Sequence, residues 1–227
     1  MTTPTDAEFI PALPLFLDLR GRPCLVLGGE GAEGARKTQA LLTAGARVTL
    51  LAHRPDPALQ QAAAAGRLRW LQEEFRPDHL EGMRFVLSTL EDEAVNRRMF
   101  AAAEERGIFV NVVDQRRFCS AIWPAVVSRP PVIAALSTGG TSPALAAHLR
   151  RRLAALLPEA MGDLARWLGT WRRPVAERIP VLAERSRFWY ALMEDGLVER
   201  FLEGGARAAE GILQRHLRDR DAGPGAD

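Results

Sequence analysis

The stretch Cys24-Leu25-Val26-Leu27-Gly28-Gly29-Glu30-Gly31-Ala32-Glu33-Gly34-Ala35-Arg36-Lys37 decides the fold. Residues 24–27 are an apolar run long enough for a buried strand, and residues 35–44 read as a helix closed by Gly45. Between them Gly29, Gly31 and Gly34 stand at the spacing G-x-G-x-x-G. A strand, a glycine turn and a helix in that order make a phosphate cradle. The turn lets backbone N–H groups approach a pyrophosphate, and the helix N-terminus adds partial positive charge. A glycine triplet alone is weak; the flanking strand and helix supply the context the motif requires. The competing reading is a glycine-rich turn that binds nothing.

Working outward, the alternation continues. Residues 47–51 read as a second strand, 55–65 as a short helix ended by Gly66, and 68–71 as a brief third strand. Residues 85–89 form a fourth strand, 92–106 a helix with Asp92 in its first turn and Gly107 at its end, and 108–113 a fifth strand. This alternation implies an α/β fold, a Rossmann-type parallel sheet with helices on both faces. On the other side, residues 1–12 are expected to be a mobile tail, and 13–19 an apolar lead into the turn Gly21-Arg22-Pro23.

The pattern changes after Asp114. Residues 115–121 are a polar, basic connection, and 122–127 and 132–136 are β-like runs joined by Ser128-Arg129-Pro130-Pro131. With no helix between them, they form either a small separate sheet or an arm reaching another subunit. From Ser142 the chain is helical, with Ser142 as N-cap, Pro143 at the first helical position, and leucines at 145, 149, 153, 156 and 157 in a helical period. Pro158 opens a helix through Trp171, and Pro174 and Pro180 are expected to break the next segment. Residues 185–194, 197–202 and 206–218 complete the helical part, and 219–227 read as a disordered tail.

Composition excludes some classes. Lys+Arg 30 against Asp+Glu 28 gives no overall basic field for nucleic acid or an anionic membrane. A hydrophobic content of 47% is ordinary for a chain that buries a core. No apolar run of about 18 residues exists to span a bilayer. The first fourteen residues lack the basic start and apolar core of a signal peptide. Cys24 and Cys119 are distant in sequence and without metal-ligand spacing, which fits a reduced, cytoplasmic compartment.

Three further stretches line up with the first: Ser88-Thr89-Leu90-Glu91-Asp92-Glu93-Ala94-Val95-Asn96, then Asn111-Val112-Val113-Asp114, then Ser137-Thr138-Gly139-Gly140-Thr141-Ser142-Pro143. With the glycine turn and its Ala35-Arg36-Lys37, the series resembles the precorrin-2 dehydrogenase and sirohydrochlorin ferrochelatase family, which includes the N-terminal part of bifunctional siroheme synthases. The resemblance runs from about residue 13 to about residue 202. It implies NAD-dependent oxidation of precorrin-2 to sirohydrochlorin, insertion of Fe²⁺ as a transient substrate in many members, and a homodimer interlocked through the segment after the cofactor domain. A methylating domain would follow residue 227, so a stand-alone dehydrogenase/chelatase is expected. The implied division is an NAD-binding Rossmann-like domain over 1–114, a dimerisation segment over 115–141, a helical C-terminal domain over 142–218, and the tail.

Asp114 is the expected catalytic residue. It lies just past the predicted fifth strand, where open parallel sheets place their ligands. Oxidation by hydride transfer releases a proton, for which a carboxylate base is useful, and metal insertion releases pyrrole protons to the same base. A turn-forming aspartate is the plainer reading from spacing, and the Asn-Val-Val-Asp match favours catalysis. The resemblance places cofactor contacts at Gly29, Gly31, Ala32, Glu33, Gly34, His53, Arg54 and Thr89, and substrate contacts at Asn111, Ser137, Thr138, Gly139, Gly140, Thr141 and Ser142.

NAD-specific sheets usually end the second strand with an acidic residue, yet Ala52, His53 and Arg54 follow Leu51, and Arg54 suits a 2′-phosphate. The resemblance implies NAD all the same. Relatives commonly read Gly-Gly-Gly-x-Val-Ala-x-Arg-Lys. This loop is one residue longer and carries Glu30 and Glu33, whose side chains must turn away from a pyrophosphate.

The substrate's carboxylates call for cations. Arg116, Arg117 and Arg129 flank the expected site, and Arg150, Arg151 and Arg152 face several directions, most of them solvent. The four histidines show no ligand spacing, so no resident metal is expected. Trp167, Trp171 and Trp189 read as core or subunit contacts. Two alternatives stand beside this reading: a dehydrogenase without chelatase activity, and a regulatory nucleotide-binding module.

Overall fold

A computed structural model describes residues 12–221; the expected tail up to residue 11, and residues 222–227, lie outside the described residues. Strands β1 (Pro23–Leu27), β2 (Arg47–Leu51), β3 (Arg69–Leu71), β4 (Phe85–Ser88) and β5 (Phe109–Val112) form one all-parallel sheet in the order β3-β2-β1-β4-β5. Helices α1 (Gly31–Thr43), α2 (Pro57–Ala64) and α3 (Glu93–Glu104) make crossovers. The strand order reverses between β1 and β4, which opens a crevice at the carboxyl ends of those strands.

Both faces of the sheet are covered, so its central strands are predominantly apolar. Leu25 and Leu27 of β1 join Val86, Val110, Met99 and Ala103 in one core; Cys24 and Val26 join Val48, Leu50, Leu87, Leu41 and Leu59 in the other. The first core lies under α3 and the second under α1 and α2. Each fully buried leucine contributes about 1.5–3 kcal/mol of transfer free energy. That gain makes the run at 24–27 a strand.

Helix starts follow local chemistry. Asp92 caps α3, accepting from the Ala94 and Val95 N–H groups at 2.9 and 3.1 Å. Ser88 Oγ donates to Asn96 Oδ1 (2.6 Å), and Asn96 Nδ2 donates to the Leu90 carbonyl (2.8 Å), which ties the end of β4 to α3. Helix α1 begins at Gly31, four residues before its expected start, so two glycines of the motif are its first and fourth residues.

The described residues fall into two compact units. The first runs to Pro124 and takes in Ser137–Pro143; the second takes Ala125–Leu136 and resumes at Ala144. These lines differ from the expected ones at 114 and 141. In the second unit β6 (Ala125–Arg129) and β7 (Val132–Leu136) form an antiparallel hairpin, Ala125 opposite Leu136. The hairpin begins three residues later than expected, because Trp123 packs on the sheet core of the first unit beside Phe85.

Four helices follow: α4 (Pro143–Leu156), α5 (Ala160–Arg178), α6 (Leu182–Glu194) and α7 (Leu197–Asp221). Helix α5 passes through Pro174, where a break was expected. The missing N–H costs a bond, but Val175 and Ile179, both 0% exposed, anchor the last turns in a core with Phe188, Leu192, Leu197 and Leu213. Trp167, Trp171 and Trp189 pack against that core. A Cβ on Gly162 would stand 2.5 Å from the Pro130 carbonyl oxygen, so this glycine lets α5 press on the hairpin. Gly205 (φ 69°, ψ −165°) interrupts α7, between the two expected helices, and α7 then runs three residues into the tail expected from 219. Helix α4 buries none of its residues.

Candidate active site

The glycine turn is held from both sides. Gly28 N–H donates to the Leu51 carbonyl at 2.8 Å, and Gly29 N–H donates to Thr89 Oγ1 at 2.7 Å. Thr89 Oγ1 in turn donates to the Leu27 carbonyl at 3.2 Å. Gly28, Gly29 and Gly31 have φ of 91°, 81° and 65°, which favours glycine. Gly34 has helical φ and is required for space: a Cβ there would lie 2.9 Å from Gly29 Cα.

The N-terminus of α1 is open. Glu30 occupies the N-cap with extended backbone, and its side chain makes no cap bond. The N–H groups of Gly31, Ala32 and Glu33 therefore have no acceptor within the helix, and a Cβ on Gly31 would meet nothing within 4 Å. A pyrophosphate fits this cradle on steric and charge grounds. The carboxylate of Glu33 is turned aside: it accepts from Arg36 at 2.8 Å and lies 3.7 Å from Lys37 Nζ. The Arg36 bond comes first among the causes that lower the Glu33 pKa. Thr89 serves the loop itself, clamping Gly29.

His53 and Arg54 are exposed just beyond β2. No carboxylate follows β2 directly, but Glu74, after β3, places Oε1 3.7 Å from His53 Nε2. A carboxylate thus reaches this corner from a neighbouring strand.

Asp114 is exposed just past β5 and has φ 58°, the only positive φ of a non-glycine among the described residues. The loop that carries it folds back on β5. Ser120 and Ala121 N–H groups donate to the Val110 carbonyl at 3.0 and 2.8 Å, and Asn111 Nδ2 donates to the Ala121 carbonyl at 3.0 Å. Val112 N–H donates to Cys119 Sγ at 3.2 Å. Asn111 is 6% exposed, so its amide is committed inside the protein.

Beneath this loop lies Lys37, which closes the quoted motif but was given no role there. It is 7% exposed, its Nζ is 3.5 Å from Asn111 Oδ1 and 5.1 Å from the Trp123 ring centroid, and Asp114 acts on it electrostatically. Burial lowers its pKa, with Glu33 pulling the other way. A signal for it exists: Gly34, Lys37, Thr38 and Leu41 share the buried face of α1 at i, i+3, i+4, i+7. Two polar residues on that face mark a built feature.

The second glycine turn is stitched to itself. Ser137 Oγ accepts from Gly139 N–H at 3.0 Å, Thr138 Oγ1 accepts from Ser142 N–H at 3.2 Å, and Thr141 Oγ1 donates to the Thr138 carbonyl at 2.6 Å. Gly140 has φ 81°, and a Cβ there would come within 3.3 Å of the Arg116 side chain. Arg116 therefore lies along this turn. Arg117 pairs with Glu93. Arg129 belongs to the second unit, bonding the Leu157 carbonyl at 3.0 Å and pairing with Glu159 at 3.1 Å. Arg150, Arg151 and Arg152 are exposed on α4. Every expected cofactor and substrate residue lies in the first unit.

Among the described residues no group of three His, Cys, Asp or Glu side chains could hold a metal ion, and no helix is long and apolar enough to cross a membrane.

Comparison with known proteins agrees with this layout. Residues 15–125 match a family described as "Putative NAD(P)-binding", residues 135–156 the sirohaem biosynthesis protein central region, and residues 160–217 the sirohaem synthase dimerisation region. The siroheme synthase of Sodalis glossinidius is 41% identical over 212 residues, covering 93% of this chain and 44% of that protein. That of Photorhabdus laumondii is 37% identical over 222 residues, covering 94% and 47%. That of Neisseria meningitidis serogroup C is 43% identical over 176 residues, covering 78% and 36%. The chain thus spans less than half the length of each of these relatives. A solved structure named SirC, precorrin-2 dehydrogenase, shares the fold with a TM-score of 0.73 at 22% identity, covering 91% of this chain and 100% of its own. In order along one polypeptide, the chain thus carries an NAD(P)-binding region, a sirohaem biosynthesis central region and a sirohaem synthase dimerisation region, and it is similar to siroheme synthases over less than half of their length.

Proposed function

We propose that the chain oxidises precorrin-2 to sirohydrochlorin with NAD⁺ in siroheme biosynthesis. The observation that carries this reading is the position of Asp114, exposed in a left-handed turn at the carboxyl edge of the sheet whose first crossover carries the glycine cradle. A nucleotide-sensing module has no use for that carboxylate.

Bound NAD⁺ supplies the hydride acceptor. The protein's part is positioning and proton transfer. The N–H groups of Gly31, Ala32 and Glu33 hold the pyrophosphate, Gly34 allows the close approach, and Thr89 keeps Gly29 in place. His53 and Arg54 serve the adenosine end. Oxidation removes two electrons and two protons from the macrocycle; one of those protons would leave apart from the hydride, and Asp114 is the base that would take it. The turn of Ser137, Thr138, Gly139, Gly140, Thr141 and Ser142, with Arg116 along it, receives substrate carboxylates. Asn111 acts from beneath, through the loop.

The same carboxylate can accept pyrrole protons when Fe²⁺ enters sirohydrochlorin, so Fe²⁺ is proposed as a transient substrate. A homodimer is supported by the dimerisation-region match and by apolar surface the second unit leaves open: Val126, Ile133 and Leu156 are 39%, 48% and 74% exposed. Two free thiols support a reducing, cytoplasmic setting.

The test is spectrophotometric. Purified protein with precorrin-2 and NAD⁺ should yield the sirohydrochlorin spectrum, and Asp114→Asn should not. Asparagine tolerates the left-handed turn while removing the charge. Full turnover by that variant would remove Asp114 from the reaction; sirohydrochlorin with Fe²⁺ tests the second step.

A further inference from the structure

Lys37 is a lysine on the buried face of a helix, which is costly unless the charge has partners. Its partners come from three places. Glu33 on its own helix lies 3.7 Å from Nζ, Asn111 Oδ1 on β5 lies 3.5 Å away, and the Trp123 ring centroid lies 5.1 Å away. The charged and titratable groups that act on it or feel it are Glu33 and Arg36 on α1, and Asp114 and Cys119 on the loop after β5. Asn111 is the hinge of this set. Its Oδ1 faces Lys37 while its Nδ2 donates to the Ala121 carbonyl, closing the loop that carries Asp114 two residues past β5. An amide flipped by 180° would aim NH₂ at the ammonium and lose the bond to Ala121.

We propose that Lys37 is the positioning residue of the site: its ammonium selects the orientation of the Asn111 amide, and through it fixes the loop that presents Asp114. The kinetic part of this inference rests on the dehydrogenase reading above. The structural part does not.

The ammonium does this only while protonated. Burial lowers the Lys37 pKa from the ordinary lysine value, so the cation is complete at low pH and is lost on the alkaline side earlier than for a solvated lysine. Arginine at this position stays charged throughout.

The experiment compares wild type, Lys37→Met and Lys37→Arg in two readouts. The first is the Asn111 side-chain ¹⁵N–¹H pair, assigned by its loss in Asn111→Asp. It needs no substrate. It should move or broaden in Lys37→Met at neutral pH and titrate on the alkaline side in wild type but not in Lys37→Arg. The second is precorrin-2 turnover. Lys37→Met should lose about tenfold or more in kcat, as expected when a reacting group is misplaced, with the KM for NAD⁺ within about twofold. Lys37→Arg should recover most of kcat and lack the wild-type alkaline limb. An unmoved Asn111 amide in Lys37→Met overturns the proposal, as does an alkaline limb that persists in Lys37→Arg. Should Lys37→Met fail to fold, Lys37→Arg alone decides. If wild type turns over no precorrin-2, the dehydrogenase reading falls, while the amide readout still judges Lys37.

Discussion

Two glycine-rich turns feed helices in this molecule, and they treat their polar groups in opposite ways. The turn at 28–34 leaves the first N–H groups of α1 open; its two engaged amides, of Gly28 and Gly29, bond to neighbouring strand ends. The turn at 137–143 uses Ser137, Thr138 and Thr141 to satisfy its own backbone. The first is shaped by the sheet and offers donors to a ligand. The second is shaped by itself and offers a rigid rim. Glycine content alone does not distinguish a cradle from a rim; the bonding of the flanking hydroxyls does.

The largest effect that can break this contrast lies between the two turns. Asp114→Asn should reduce precorrin-2 turnover by about 10² or more, with a thermal midpoint close to wild type. Next is the cradle. Gly34→Ala forces a methyl to 2.9 Å from Gly29 Cα, so we expect a loss of about 1–3 kcal/mol in stability together with weaker NAD⁺ binding by calorimetry. Gly31→Ala has open space and should cost only the strain of its φ of 65°, about 1 kcal/mol. Equal losses at the two positions would mean the close approach is unimportant. Thr138→Ala should cost about 1 kcal/mol through its lost bond and raise the KM for the tetrapyrrole, leaving NAD⁺ affinity unchanged. A matching fall in NAD⁺ affinity would erase the division of labour. The smallest effect concerns Cys24, on the strand that enters the cradle. Burial raises its pKa to about 11, so the thiol is protonated below that value and native protein at pH 8 should resist iodoacetamide at this residue, by mass spectrometry, until the sheet opens.

The sheet was legible because strands buried on both faces read as near-continuous apolar runs, and those at 24–27 and 85–87 satisfy that. The start of α1 was not, since glycines read as loop, and Gly31 keeps a left-handed φ of 65° even as the first residue of the helix. Pro174 misled for a related reason: the buried Val175 and Ile179 outweigh one missing hydrogen bond. The strand at 122–127 slipped because Trp123 finds its place on the first unit's core. At the site, the aspartate was readable from its motif and position after β5, but its left-handed backbone was not. Asn111 was expected against substrate; its burial under the loop, at 6% exposed, is not something spacing reveals. Lys37 was within reach of periodicity, since it shares a face with Leu41, and a motif search that stops at the glycines passes it by.

The hydroxyl of Thr89 touches the tip of β1 and the engaged amide of Gly29 at once. Entry and exit of a dinucleotide therefore cannot loosen that corner without also tugging the end of β4, whose next residues lead through the Ser88–Asn96 tie into α3. The corner's stiffness is borrowed from a neighbouring strand.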